Sequence, residues 1–400
     1  MRTLRCRQTT ASASGFIFRG SSCRVWLPLG SVTDRFTYLD AASAEPLHPA
    51  AREVLLAAAD QGYADPRRLH RPARNAGLLL TNAREVVAEA LGVRRDEVLF
   101  TSSGTAAVHA GLLGLGSRGI GHSAVEHQAV IDAARWSQRS PVTELAVDGE
   151  ARVEVAAVRD AVQAGDVDVI AVQQANHEVG TLQPLDEVAS AAGPASLFVD
   201  AGAAMGRLPL PSVGDAIAGS ARKWGGPGGV GVLVVRRSAR WRWPFPGDEW
   251  SRTDQGFTNI PGALAAAAAL QAVVAEREEV NARQHDLVAL VRERVRTEIP
   301  DVDVAGPAED RLPHLVTFSA LYVDGEALVT ALDRIGAGVA SGSACTSDTR
   351  EPSRVLAAMG ALTHGNVRLS LTRDTTREDV ERVLDALPGI VKDLRAEAGL

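Results

Sequence analysis

The 400-residue sequence predicts an α/β fold: a mainly parallel sheet covered by helices on both faces, followed by a smaller C-terminal unit. Three observations predict it. From Tyr38 onward short apolar runs alternate with stretches of helical period. Several of those runs are continuously apolar rather than alternating, as expected for strands buried on both faces. After Pro261 the texture changes to a long alanine- and glutamate-rich segment, followed by a new set of short strands and helices.

The elements follow in order. Residues 84–91 keep a helical period, 97–101 read as a short strand and 106–115 as a helix. The runs 167–173 and 196–200 read as buried strands, with 186–192 as the helix between them. Crossovers of this kind are nearly always right-handed. The run 216–220 reads as the end of a strand and 230–235 as a β-branched strand. One long helix, ending near Glu298, connects to strands around 315–318 and 338–340 and to helices near 352–359 and 377–394. The expected boundaries are an extension over 1–36, a large domain over 37–262 and a small domain over 263–400.

Composition narrows the function. Hydrophobic residues make up 46% and charged residues 23%, with a net charge of −7. That balance, without a basic stripe, argues against a nucleic-acid partner. No apolar run is long enough to span a bilayer; the alanine stretch 263–275 is too short. Cys6, Cys23 and Cys345 suit neither a disulfide framework nor a zinc site, so a reduced, cytoplasmic setting is expected. The first residues carry Arg and Ser without Asp or Glu, in the manner of a targeting peptide. Lacking an apolar core segment or cleavage site, they read better as a disordered extension or an upstream start.

The stretch GSARKWGGPGGVGVLVV contains Gly226, Gly228 and Gly231 in the spacing G-x-G-x-x-G. A dinucleotide fingerprint needs a strand before its glycines and a helix after them. Here the strand comes after, so the glycines form a turn. What the turn presents is Lys223, in a chain with very few lysines. Ligands of open α/β sheets collect beyond the carboxyl ends of the strands. Asp200 ends the strand SLFVD and falls at the same edge, where it needs a cationic partner. A lysine amine and a carboxylate are what pyridoxal phosphate requires, the first for its aldehyde and the second for its ring nitrogen. Taken alone, the spacing also suits chance or a structural salt bridge.

Four further segments add to the pair. In FTSSGTAA a strand gives way to a helix at Ser103, Gly104 and Thr105, which suits a phosphate or ordinary N-capping. His127, after Glu126, opens a helix, where its ring can stack on a planar group, move protons or serve structure alone. Cys345 stands in SGSACTS, whose small residues predict a mobile loop and an accessible thiol. Arg368 alternates with apolar residues in NVRLSLTR and needs an anion, whether a substrate carboxylate or an internal partner.

Together these motifs resemble the group I cysteine desulfurases of the class V aminotransferase family, which are fold-type I pyridoxal-phosphate enzymes. YLDAAS, FTSSGT, EHQAV, NHEVGTLQP, FVDAG, SARKWGGPGGVG, SGSACTS and VRLSLTR occur in the family's order from about residue 37 to the C-terminus. The resemblance implies a large domain with a seven-stranded, mainly parallel sheet and a small α+β domain carrying the cysteine loop. It makes Lys223 the Schiff-base lysine, Asp200 the partner of the pyridine nitrogen and His127 the stacking ring. Thr105 and Ser220 would bind phosphate, with the backbone of Gly104. Thr258 would reach the phosphate of the other subunit in a homodimer. Arg368 would grip the substrate carboxylate, and Cys345 would take the sulfur of L-cysteine as a persulfide for an acceptor protein or small thiol.

The sequence departs from the family pattern at several positions. His177 stands where the family has asparagine at the ring hydroxyl, with Asn176 one residue off and open to a role toward substrate. Ala203 replaces a glutamine, Arg222 a histidine and Ala106 a glutamate; Arg222 would add a phosphate contact. Another class V reaction, such as selenocysteine lysis, transamination or epimerisation, needs the lysine and aspartate but not the cysteine. A non-catalytic scaffold for sulfur transfer would need neither. Iron–sulfur cluster assembly, tRNA thiolation and specialised biosynthesis all suit the sulfur acceptor equally.

Overall fold

The computed structural model describes residues 36–116, 118–137, 142–246, 258–341 and 352–399. A short strand, β1 (Thr37–Tyr38), leads to helices α1 (Pro49–Ala59) and α2 (Arg71–Leu91). Alternating units follow: β2 (Val98–Thr101) with α3 (Gly104–Gly114), β3 (Ile120–Ser123) with α4 (Gln128–Trp136), and β4 (Val142–Leu145) with α5 (Val155–Gln163). Then come β5 (Val169–Ala171) with α6 (Leu185–Ala192), β6 (Ser196–Asp200), β7 (Ala216–Ser220) and β8 (Gly231–Val235). The long helix α7 (Ile260–Glu298) leads to β9 (Val302–Ala305), β10 (Leu315–Ala320), α8 (Gly325–Arg334) and β11 (Ala337–Gly338). The chain closes with α9 (Arg354–Ala358), β12 (Asn366–Ser370) and α10 (Arg377–Glu397).

The main sheet has seven strands in the order β2-β8-β7-β6-β5-β3-β4. Only β8 runs against the others in it, pairing antiparallel with both β2 and β7. The carboxyl ends of β2, β3, β5, β6 and β7 therefore share one edge. The order also reverses between the first half of the chain and the second, which creates the crevice where ligands of such sheets bind.

Two large apolar cores lie on either face of this sheet. One packs Val172, Val199, Ile217 and Val232 under α1, α2 and the start of α7. The other packs Ile120, Val169, Phe198 and Leu233 under α3 and α4. A third core belongs to the C-terminal unit, where β12-β10-β9 form an antiparallel sheet under α8, α10 and the end of α7. Helix α7 serves two of these cores: Ile260–Leu270 contribute to the first and Leu287–Val295 to the third. A boundary at 262/263 thus falls within one continuous helix. The N-terminal strand also joins the C-terminal unit, because β1 pairs with β11 and Leu39 lies in the third core.

The strands β6 and β7 and the end of α7 fall where the sequence pattern puts them. Helix α2 begins well before residue 84. His70 caps it through Nδ1, 3.3 Å from the amide of Ala73, and Pro72 sits in its first turn. Its buried stripe starts with Ala73 and Ala76, residues too weakly apolar to show in a periodicity search. Strand β3 (IGHS) escaped the pattern because its four buried residues include glycine, histidine and serine. Among the described residues, no helix is long and apolar enough to cross a membrane.

Candidate active site

The shared strand edge opens on a half-open cavity. Ser103, Gly104 and Thr105 line it from the start of α3, His127 from the start of α4, and Asp200 from the end of β6. Ser220, Arg222 and Lys223 line it from the end of β7 and the short 3-10 turn Ala221–Lys223. The sequence places these residues up to about 120 positions apart, and the topology of the sheet assembles them.

Local chemistry fixes each element. The Ser103 hydroxyl caps α3 by accepting from the amide of Ala106 at 3.0 Å. That leaves the first N–H groups of the helix facing the cavity as an anion site. Gly104 is required there: a Cβ at this position would meet the Ser220 Cβ at 2.5 Å. The glycine thus lets the helix start press against the strand end that carries the lysine. Gly225 and Gly229 have φ of 81° and 77°, the left-handed conformation of the turn that returns the chain into β8.

Asp200 receives the amide of Gly202 at 2.8 Å, which orients its carboxylate. Arg222 donates to the backbone oxygen of Ser43, and its own carbonyl accepts from Glu45 at 2.8 Å. Part of its cationic reach is therefore committed to the N-terminal segment. Thr258 lies just before Asn259, the N-cap of α7, and is not among the residues lining this chain's cavity.

A second layer adjoins His127. The ring of His177 meets that of His127 edge-on, with centroids 5.2 Å apart. Burial pushes the His177 imidazole well below its usual range, with His127, Lys223 and Arg368 adding to the effect. Burial also lowers His127, helped by Lys223 and opposed by Asp200. His177 Nε2 lies 3.7 Å from the Glu178 carboxyl, whose acidity burial weakens. Both shifts work against an ion pair between the two groups.

Arg368 is buried and does have an anion, but an internal one. Its Nη2 lies 2.8 Å from the Asp40 carboxylate and 3.0 Å from the Ser43 hydroxyl, and Nη1 lies 3.1 Å from the His177 carbonyl. Its Nε is buried without a hydrogen-bond partner among the described residues, and Arg368 is not among the residues lining the cavity. Asn176 is fully buried and used up locally. Its Oδ1 accepts from the amides of Glu178 and Val179, both at 2.8 Å, and its Nδ2 donates to Val125 at 3.2 Å. A role toward substrate, expected for Asn176, does not suit a side chain engaged in this way.

Cys345 lies outside the described residues, as do Cys6 and Cys23. The chain on either side of Cys345's segment is anchored in the second layer. Ala340 exchanges backbone hydrogen bonds with Arg368 at 2.7 and 3.2 Å. The Ser353 hydroxyl donates to Glu178 at 2.5 Å. Asp40, Ser43, Glu178 and Ser353 are contributors that sequence reasoning missed. Three of them stood inside motifs already singled out, Asp40 and Ser43 in YLDAAS and Glu178 in NHEVG, but their partners lie 328, 325 and 175 residues away.

This sheet, with its switch-point cavity, defines a class of protein, and comparison identifies it. The Aminotransferase class-V family model matches residues 37–383, and the chain belongs to that family. It is 35% identical over 385 residues to an IscS-like cysteine desulfurase of Mycobacterium tuberculosis, covering 90% of this chain and 98% of that protein. It is 34% identical over 354 residues to the cysteine desulfurase NifS of Azotobacter vinelandii, covering 83% and 87%. A solved NifS-like protein superposes with a TM-score of 0.82 at 26% identity, over 90% of this chain and all of that one.

The family depends on pyridoxal phosphate. The residues present fit that group. A capped helix start with Thr105 and Ser220 beside it suits the phosphate, Asp200 suits a protonated ring nitrogen, and Lys223 supplies the amine.

Proposed function

We propose that this protein is a pyridoxal-phosphate-dependent cysteine desulfurase, taking L-cysteine to L-alanine and passing the sulfur through Cys345 to an acceptor. The observation that carries the reading is the convergence of Lys223, Asp200 and the capped start of α3 on one cavity, with Arg368 paired through its backbone to Ala340, five positions before Cys345 in the sequence.

The residues divide the work. Lys223 holds the cofactor through its amine, Asp200 holds the ring nitrogen, and His127 stacks on the ring. Gly104, Thr105 and Ser220 take the phosphate, with Arg222 adding positive charge. Bound pyridoxal phosphate supplies an electron sink for negative charge at the substrate's α-carbon. Arg368 grips the substrate carboxylate through the N–H groups left over from Asp40 and Ser43. Lys223 Nζ moves the α-proton. The Cys345 thiolate then attacks the substrate sulfur: an S–S bond forms, the substrate C–S bond breaks, and its electron pair stays on carbon to be protonated. One cysteine gives one alanine and one persulfide. His177, in place of the family's asparagine, would stand toward the ring hydroxyl, behind His127.

The protein acts as a homodimer in this reading, Thr258 reaching the partner's cofactor phosphate. A reducing, cytoplasmic setting keeps the Cys345 thiol free. The acceptor is a protein or a small thiol. Borohydride labelling of the purified protein tests the cofactor assignment: a label on the peptide containing Lys223, lost in Lys223→Ala, is expected. A colourless protein that takes no label after reconstitution contradicts it.

A further inference from the structure

Glu126 is a buried acid that the mechanism does not use. It lies in the turn between β3 and α4, directly before His127, and is 5% exposed. Its Oε1 accepts twice, from the Ser123 hydroxyl at 3.0 Å and from the Gln173 amide at 2.8 Å. Its Oε2 is buried and has no hydrogen-bond partner among the described residues. An ionised carboxylate offers acceptor sites on both oxygens and is costly to bury with one of them bare.

The same turn is fastened twice more to the end of β5. Gln173 Nε2 donates to the Val125 carbonyl at 2.7 Å, and Asn176 Nδ2 donates to the same oxygen at 3.2 Å. The groups facing Glu126 are few in kind. Ser123 of β3 and Gln173 beyond β5 are neutral. His127, its chain neighbour, is pushed toward its neutral form by burial, so the charge acting from β6 is the Asp200 carboxylate.

We propose that Glu126 is a positioning residue that works as a neutral, proton-holding carboxylic acid: it ties the turn carrying His127 to β5 and leaves the negative charge on this side of the cavity to Asp200. The proposal rests on the cofactor reading only for what His127 and Asp200 then do. Burial, with Asp200 adding to it, holds the Glu126 carboxyl well above the usual carboxylate range. Two carboxyl groups are thereby set apart, one charged toward the cavity and one neutral behind it, a division of roles that environment alone can impose. Were Glu126 to ionise, its charge would favour protonation of His127.

Infrared difference spectra of the full-length protein at pH 7 test this without cofactor or turnover. The expected result is an unionised-carboxyl carbonyl band that persists in Glu178→Gln and is lost when Glu126→Gln is added to that variant. Should Glu126→Gln fail to fold, the band of Glu178→Gln decides alone, and its absence overturns the proposal. A second readout is cofactor affinity. Glu126→Gln, which mimics the neutral acid, is expected within about threefold of wild type, whereas Glu126→Ala weakens binding about tenfold or more. Equal loss in both variants overturns the proposal, even in a protein whose desulfurase activity is intact.

Discussion

Two turns flank the cavity, and each sets a histidine beside a buried glutamate. In SAVEHQ the glutamate comes first, and Glu126 is secured by Ser123 and Gln173 from the main sheet. In NHEVG the histidine comes first, and Glu178 is secured by Ser353, 175 residues away in the C-terminal unit. The two histidine rings meet at 5.2 Å. One turn is therefore a property of the sheet, while the other is a joint between the two parts of the chain. Arg368 belongs to the same joint, since it binds Asp40 from the N-terminal segment and the His177 carbonyl from the second turn.

The joint is expected to be the more fragile. Asp40→Ala strands the buried Arg368 guanidinium without its anion, and a loss of about 3 kcal/mol in urea unfolding is expected. No measurable loss would mean that the pair is not the anchor described. Asn176→Ala leaves the amides of Glu178 and Val179 without an acceptor inside the protein, for a cost of about 2 kcal/mol in the same measurement. Gly104→Ala probes the other side of the cavity. Its Cβ must displace Ser220, so about 1–3 kcal/mol of overpacking is expected, with weaker cofactor binding.

The titrations separate the acids from the imidazoles by sign, in both turns alike. Glu126 and Glu178 have raised pKa values in the folded chain, so each erodes stability as pH climbs from the ordinary carboxylate range toward the raised value. His177 is lowered, so its contribution is whole above the ordinary histidine range and fades as pH falls toward the lowered value. His177→Asn is thus expected to flatten the acid limb of the stability profile and leave the alkaline limb unchanged. An unchanged acid limb would contradict the burial of a neutral imidazole.

The same contrast explains what the sequence made legible. Lys223, Asp200 and the Ser103–Thr105 turn were legible because each closes an apolar strand, and strand ends of a parallel sheet converge by topology. Strands β6 and β7 were equally plain, being uninterrupted apolar runs. The joint was not legible. Asp40 and Glu178 lie in recognisable motifs, yet nothing local to either names Arg368 or Ser353 as its partner. Asn176 misled for the same reason: a polar residue beside the expected ring contact reads as a ligand until the turn consuming its amide is seen. The pairing of β1 with β11 hid too, since two residues carry no periodicity.

The most direct test of the account is the fate of sulfur from L-cysteine in the reconstituted enzyme. The prediction is alanine and persulfide in equal amounts, with the persulfide mapped by mass spectrometry to Cys345 and both products lost in Cys345→Ala. Alanine released by Cys345→Ala at the wild-type rate, or no alanine from the cofactor-loaded wild type, would contradict it.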